Sequence, residues 1–246
     1  MEVSACISEA RQKQCHTLSE VVAKQILAEY GIEVPKGYVS RTPDEAVAAF
    51  ASLQSPVVLK VIAPDVVHKS DIGGVQTNLI TAEAVRQAAT AMARKVATYG
   101  YHVEGFLVEE MAPSGCELVV GGVIDPRFGP LIMTGLGGIF VEVLKDVAFR
   151  FCPITAYDAW EMIRELHAAP ILDGIRGQRP VSKEALLEVL LHVGGKHGLL
   201  LDLCDDIQEL DINPLIVTDT RAIAVDARFI LTAPTTVPVK EHETKW

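Results

Sequence analysis

A chain of 246 residues, 49% of them hydrophobic and 6% aromatic, has material for one large core or two modest lobes. A formal net charge of −10, with no stripe of Lys or Arg, argues against a nucleic-acid partner, because neutralising phosphates needs clustered cations. The five cysteines are scattered and lack C-x-x-C spacing, so neither a disulfide framework nor a zinc site is expected. No apolar run reaches the roughly 20 residues of a membrane span, and no apolar h-region opens the chain, so the expected place is the cytoplasm.

In chain order, residues 1–17 read as an irregular N-terminal extension. Leu18, Val21, Val22, Gln25, Ile26 and Tyr30 recur at helical spacing behind Thr17 as N-cap, and Gly31 closes that helix. Pro43 opens a second helix ending near Leu53. Residues 57–62 predict a buried strand, 74–80 another, and Thr81 caps an Ala-rich helix running to about Thr98. These elements make a first lobe, 18–102. From Val103 the pattern turns to strands at 103–110, 116–124 and 130–134, separated by turn signals, then helices at 155–166 and 182–200. Paired strands at 207–213 and 222–226 close a sheet-rich second lobe, 103–232, and 233–246 reads as a loose polar tail. No internal repeat is present.

In Glu209-Leu210-Asp211-Ile212-Asn213-Pro214 polar residues alternate with apolar ones, so Glu209, Asp211 and Asn213 share one strand face. A hairpin centred on Asp219 and Thr220 sets Asn213 opposite Asp226, and Asp211 opposite Arg228. Facing side chains lie about 4.5 to 5.5 Å apart at Cβ, near enough for an amide oxygen and a carboxylate to share one hard cation. Magnesium suits such a pair because it completes its shell with water and substrate phosphates. The alternative is a solvated hairpin braced by an Asp211 to Arg228 ion pair.

Lys60 interrupts the otherwise aliphatic run Val57-Val58-Leu59-Lys60-Val61-Ile62. A buried ammonium is costly, so Lys60 either snorkels to water or meets an anion such as a nucleotide phosphate. Eight residues on, His68 sits in a loop that returns through Gly73-Gly74. A neutral imidazole can accept a phosphoryl group, although a loop histidine alone is more often an ordinary surface residue. Arg127 either binds phosphate or braces its turn through Asp125; the loop Gly135 to Gly138 either presents backbone N–H groups to a phosphoryl group or is a tight turn.

Lys60, His68-Lys69-Ser70-Asp71-Ile72-Gly73-Gly74-Val75, Leu107-Val108-Glu109-Glu110-Met111, Asp125-Pro126-Arg127-Phe128-Gly129-Pro130, Gly135-Leu136-Gly137-Gly138-Ile139-Phe140-Val141-Glu142, Glu209 to Leu215 and Val225 to Arg228 follow one another in a familiar order. The chain resembles, over roughly 18–231, the ATP-grasp β subunit of ADP-forming acyl-CoA synthetases, and more distantly that of succinyl-CoA ligase. The resemblance implies an α+β ATP-grasp fold whose two lobes sandwich a nucleotide. It implies the reversible reaction acyl-CoA + ADP + phosphate giving acid + CoA + ATP, with Mg2+ as cofactor and ATP or ADP as substrate. It also implies a separate α subunit carrying the CoA-binding and ligase domains. By position, Lys60 resembles the lysine on the nucleotide phosphates, Glu109 the interlobe residue beside the adenine, and Glu117 a carboxylate addressing the nucleotide. Asn213 and Asp226 match the magnesium ligands, and His68 the phosphohistidine. Ser114-Gly115-Cys116 departs from the family's Gly followed by a basic residue. Two further readings remain open: a non-catalytic ATP-grasp module that senses nucleotide or scaffolds a partner, and a carboxylate-amine ligase, which leaves His68 unexplained.

Overall fold

The computed structural model describes residues 3–64, 66, 69–138, 145–174 and 179–233. Strand β2, Val57–Ile62, is aliphatic apart from Lys60 and runs antiparallel between β3, Val75–Leu79, and β4, Gly105–Glu110. The short β1, Gly37–Ser40, adds to the other side of β4, giving a four-stranded sheet in the order β1-β4-β2-β3. Two helices, Pro43–Phe50 and Ala82–Thr98, bury Ala46, Val85, Ala88, Ala89, Met92 and Val96 with Val57, Leu59, Val61, Phe106 and Val108. Thr42 and Thr81 cap them through side-chain oxygens, the second as expected from sequence.

The strand expected to open the second lobe, 103–110, therefore belongs to the first sheet. Phe106, Leu107 and Val108 are buried because β4 is central, paired on both edges.

A second, six-stranded sheet holds β5, Cys116–Asp125, β6, Gly129–Leu136, β7, Val147–Phe151, β8, Ile207–Val217, β9, Ala222–Ala224, and β10, Ala227–Leu231. Its order is β10-β8-β5-β6-β7, with β9 also on β8. Helices Ala156–Glu165 and Lys183–Gly194 cover one face, burying Met162, Ile163, Leu186, Leu190 and Val193 with Leu118, Ile132, Leu210, Ile212 and Phe229. The helix expected over 182–200 stops at Gly194 and a short one, Leu199–Asp202, resumes. At Gly195 a Cβ would lie 2.4 Å from the Leu191 carbonyl oxygen, so only glycine makes this break. Strands β1 and β7 were not foreseen: both are short and lie at sheet edges, where side-chain patterning is weak.

The N-terminal segment also differs from expectation. Residues 3–12 form helix α1, Val3–Gln12, with Ile7 buried in the second core. Thr17 is not a helix cap; it bridges Ile230, and the Leu18 N–H donates to the Phe229 carbonyl at 3.0 Å. With that backbone committed to the edge of β10, helix α2, Glu20–Glu29, starts only after Ser19, whose side chain caps it. Leu18, Ala23, Ile26, Leu27 and Ile32 pack into the second core rather than the first. The segment that opens the chain's first half thus rests on the second sheet and reaches across to the first. No described helix is long and apolar enough to cross a membrane.

Candidate functional site

The β8 to β10 hairpin takes the register read from its sequence: Leu215 faces Ala224, Ile212 faces Ala227 and Asp211 faces Arg228. Asn213 and Asp226 meet in the gap between β9 and β10, where the Asn213 N–H donates to the Asp226 carbonyl at 3.2 Å. The tight end closes with the Thr218 N–H on the Arg221 carbonyl at 2.8 Å. Arg228, however, does not pair with Asp211. Its Nη2 donates to Glu209 Oε1 at 3.2 Å instead, and Asp211 is half-buried. Burial pushes the Asp211 carboxyl up, and Glu209 and Asp226 add to the rise against Arg228.

Lys60 Nζ is buried, 4% exposed, and does not snorkel. It donates to Glu20 Oε1 at 2.5 Å and to the Val225 carbonyl at 2.8 Å, with Glu109 Oε2 3.2 Å away. Lys24 Nζ lies 2.7 Å from both Glu109 oxygens and 2.8 Å from Glu20 Oε1. Lys69 Nζ donates to Glu20 Oε2 at 2.6 Å. The ammonium groups of Lys24, Lys60 and Lys69 and the carboxylates of Glu20 and Glu109 thus form one largely buried network joining β2 and β4 of the first sheet with α2, and Lys60 ties it through the Val225 carbonyl to the turn that carries Asp226. Burial lowers the Lys60 ammonium, yet Glu20, Glu109 and Asp226 outweigh that and hold it above its ordinary range. Burial and the Lys60 charge push Lys24 down against Glu20 and Glu109. Burial, then Glu20, raise the Asp226 carboxyl, and Lys60, Lys69 and Lys24 offset this only in part.

Two of these residues were not singled out in the sequence, Glu20 and Lys24. Charges four apart on a helix are ordinary surface residues by pattern; only the placement of α2, with Ala23, Ile26 and Leu27 fully buried, shows that Glu20 and Lys24 are enclosed too. Glu109, expected beside the adenine, lies in this network at 3% exposure. Gly37 stands opposite it, and a Cβ there would come within 2.6 Å of Glu109 Cγ, so the missing side chain makes room for the carboxylate.

Glu117 is exposed on β5, with its carbonyl accepting from the Gly137 N–H at 2.7 Å, so it borders the glycine loop but not the lysine network. Asp125 Oδ1 accepts from the backbone N–H groups of Arg127 and Phe128 at 2.8 and 2.9 Å; that turn is braced by backbone rather than by the Arg127 guanidinium. His68 lies outside the described residues, as do 139–142 of the glycine motif. The returning end of the histidine loop is fixed: Gly74 N–H donates to the Lys69 carbonyl at 2.7 Å, and a Cβ on Gly74 would lie 2.7 Å from Val61 Cγ1. All five cysteines are free.

The ends of the two sheets nearest this network present cations from one lobe and oxygen ligands from the other. That arrangement can hold a polyphosphate together with a hard cation. Asn213 offers an amide oxygen to solvent, and Asp226 a carboxylate that burial and Glu20 disfavour as a bare anion, so the pair fits magnesium bound largely through water and phosphate. No cluster of three His, Cys, Asp or Glu able to hold a metal occurs among the described residues, and a two-residue site does not require one.

The chain matches the ATP-grasp domain family over residues 9–231. It is 46% identical over 227 residues to the β subunit of acetate-CoA ligase (ADP-forming) I of Pyrococcus furiosus, covering 92% of this chain and 96% of that one. It is 43% identical over 207 residues to the acetate-CoA ligase (ADP-forming) I of Archaeoglobus fulgidus, covering 84% of this chain and 30% of that one. Among solved structures, acetyl-coenzyme A synthetase 1 of Ca. Korarchaeum cryptofilum bound to coenzyme A and Ca-AMPCP superposes with a TM-score of 0.89 at 38% identity, covering 94% of this chain and 100% of that one. The same protein with coenzyme A and Mg-AMPPCP, its phosphohistidine segment pointing towards the nucleotide site, gives a TM-score of 0.81, also at 38% identity with 94% and 100% covered.

Proposed function

The chain belongs to the ATP-grasp family, among the β subunits of ADP-forming acyl-CoA ligases, and from that premise we propose how its residues divide the work. It joins acid and CoA at the expense of ATP, or in reverse makes ATP from acyl-CoA, ADP and phosphate. Lys60 contacts the nucleotide phosphates, Asn213 and Asp226 hold Mg2+, and Glu117 addresses the nucleotide from the exposed end of β5. A magnesium ion there supplies positive charge to phosphate oxygens. His68 carries the phosphoryl group: the P–N bond of its phosphorylated ring breaks as a terminal oxygen of ADP forms the new P–O bond. Phosphoryl transfer needs mostly position and charge, which is what a lysine network facing an amide and carboxylate provides.

The observation that carries this reading is Lys60 Nζ, from the first sheet, donating at 2.8 Å to the Val225 carbonyl beside Asp226 of the second. A separate α subunit completes the enzyme, supplying the part of the reaction that the fused Archaeoglobus relative holds in the rest of its length. Five free thiols suit the cytoplasm, and a net charge of −10 disfavours nucleic acid, so small anions are held by the local lysines. The test is ATP formation by the chain reconstituted with its α subunit, given acetyl-CoA, ADP and phosphate. Wild-type protein is expected to make ATP and Asp226→Asn to lose most of it; a wild-type rate in Asp226→Asn sinks the assignment of the metal site.

A further inference from the structure

Lys24, Lys60 and Lys69 contact Glu20 and Glu109 directly and have Asp226 as a further charged neighbour, three charges against three, and Glu20 has no task in the reading above. Its single carboxylate is the point on which all three lysines converge: Oε1 is 2.5 Å from Lys60 Nζ and 2.8 Å from Lys24 Nζ, and Oε2 is 2.6 Å from Lys69 Nζ. Three ammonium groups around one pair of oxygens is the coordination a phosphate oxyanion asks for. We propose that Glu20 is an exchangeable internal counter-ion: without ligand its carboxylate occupies the place of a nucleoside diphosphate's terminal phosphate, and that phosphate displaces it. This rests on the assignment of Lys60 to the nucleotide phosphates.

The remaining contacts show why exchange is feasible. Lys24 keeps both Glu109 oxygens at 2.7 Å, and Lys60 keeps Glu109 Oε2 and the Val225 carbonyl, so neither is orphaned when Glu20 leaves. Lys69 has Glu20 as its ion-pair partner among the described residues and passes from carboxylate to phosphate. Glu20 lies in the first turn of α2, where the helix N-terminus favours a negative charge, so the released carboxylate stays ionised. The empty network is neutral by count. Removing the Glu20 charge leaves one excess positive charge in the network and removes the competitor for it.

Two opposite effects follow in Glu20→Gln: the empty protein melts at lower temperature, because three ammonium groups lose a shared partner, while polyphosphate binds more tightly. A carboxylate with only a structural role would lower the melting temperature as well, but would leave binding unchanged or weaken it. Calorimetric titration of the full chain with magnesium-free ADP, and separately with inorganic pyrophosphate, is expected to show Kd falling roughly tenfold for both in Glu20→Gln. Glu20→Asp keeps the charge but is one methylene too short to span Lys60 and Lys69, and is expected to shift Kd in the same direction if the glutamine variant does not fold. A Kd unchanged or raised in the folded variant overturns the inference. Lys60→Met is the control: lost ADP binding there beside an unaltered Glu20→Gln defeats the counter-ion alone, whereas wild-type ADP binding in Lys60→Met defeats the parent assignment as well.

Discussion

A lysine in the fourth position of an aliphatic strand commits the protein to surrounding it with anions. Lys60 meets that demand with Glu20, Glu109 and a backbone carbonyl rather than with solvent. Lys60→Met, which keeps the length and removes the charge, is expected to weaken ADP binding roughly 100-fold, measured by calorimetry, with little change in fold. Glu20 also makes the network sensitive to acid. Burial opposes its ionisation, but Lys60, Lys24 and Lys69 more than compensate and hold it well below its ordinary 4.5. A carboxylate depressed in the folded state contributes stability that is full above its ordinary pKa and is lost as pH falls through the folded value. Asp211 and Asp226, both raised, act with the opposite sign; Asp211 cancels in the difference between wild type and Glu20→Gln, which reports Glu20 together with its push on Asp226. Urea unfolding from about pH 6 to about pH 3 is expected to show a steeper loss in wild type than in Glu20→Gln; equal slopes would mean Glu20 is not paired in solution. At this scale Lys60, Asn213 and Asp226 were legible because a polar residue in an apolar strand, or a polar face on a hairpin, is a local anomaly. Glu20 and Lys24 look like ordinary helix-surface charges until the helix is placed.

Helix starts were legible to within a few residues, since Thr81, Thr155 and Ser182 each use a side-chain oxygen on a nearby N–H, whatever the tertiary surroundings. Thr155 forms a full capping box with Asp158. Thr155→Ala is expected to cost about 1 kcal/mol in chemical denaturation and to leave nucleotide binding alone, because that helix covers the far face of the second sheet. Thr17 failed as a cap because a distant edge strand claims its backbone, which no local pattern announces. Gly37 tests how an element positions a functional side chain. Gly37→Ala would push on Glu109 Cγ, so it is expected to lower ADP affinity severalfold at modest cost in stability, in contrast to Thr155→Ala. Unaltered ADP affinity in folded Gly37→Ala would show that Glu109 has room to move.

Across the whole molecule, the network ties two sheets through helix α2, which packs on one core and sends Glu20 and Lys24 to meet Lys60 and Glu109 of the other. His68→Asn is expected to abolish ATP formation by the reconstituted enzyme while ADP binding, which depends on Lys60 and the hairpin, persists; turnover at the wild-type rate would remove His68 from the reaction. The amino-acid sequence by itself determined the strands that are apolar over their length, the capped helices, and the hairpin register that sets Asn213 against Asp226, because each follows from periodicity or turn geometry within a few tens of residues. Tertiary structure alone decided that residues 105–110 complete the first sheet, that 18–32 rest on the second core, and that Glu20 and Lys24 close the ion network. Those outcomes depend on which buried charge finds its partner 40 or 85 residues away, a choice made by the desolvation cost of leaving any one of them alone.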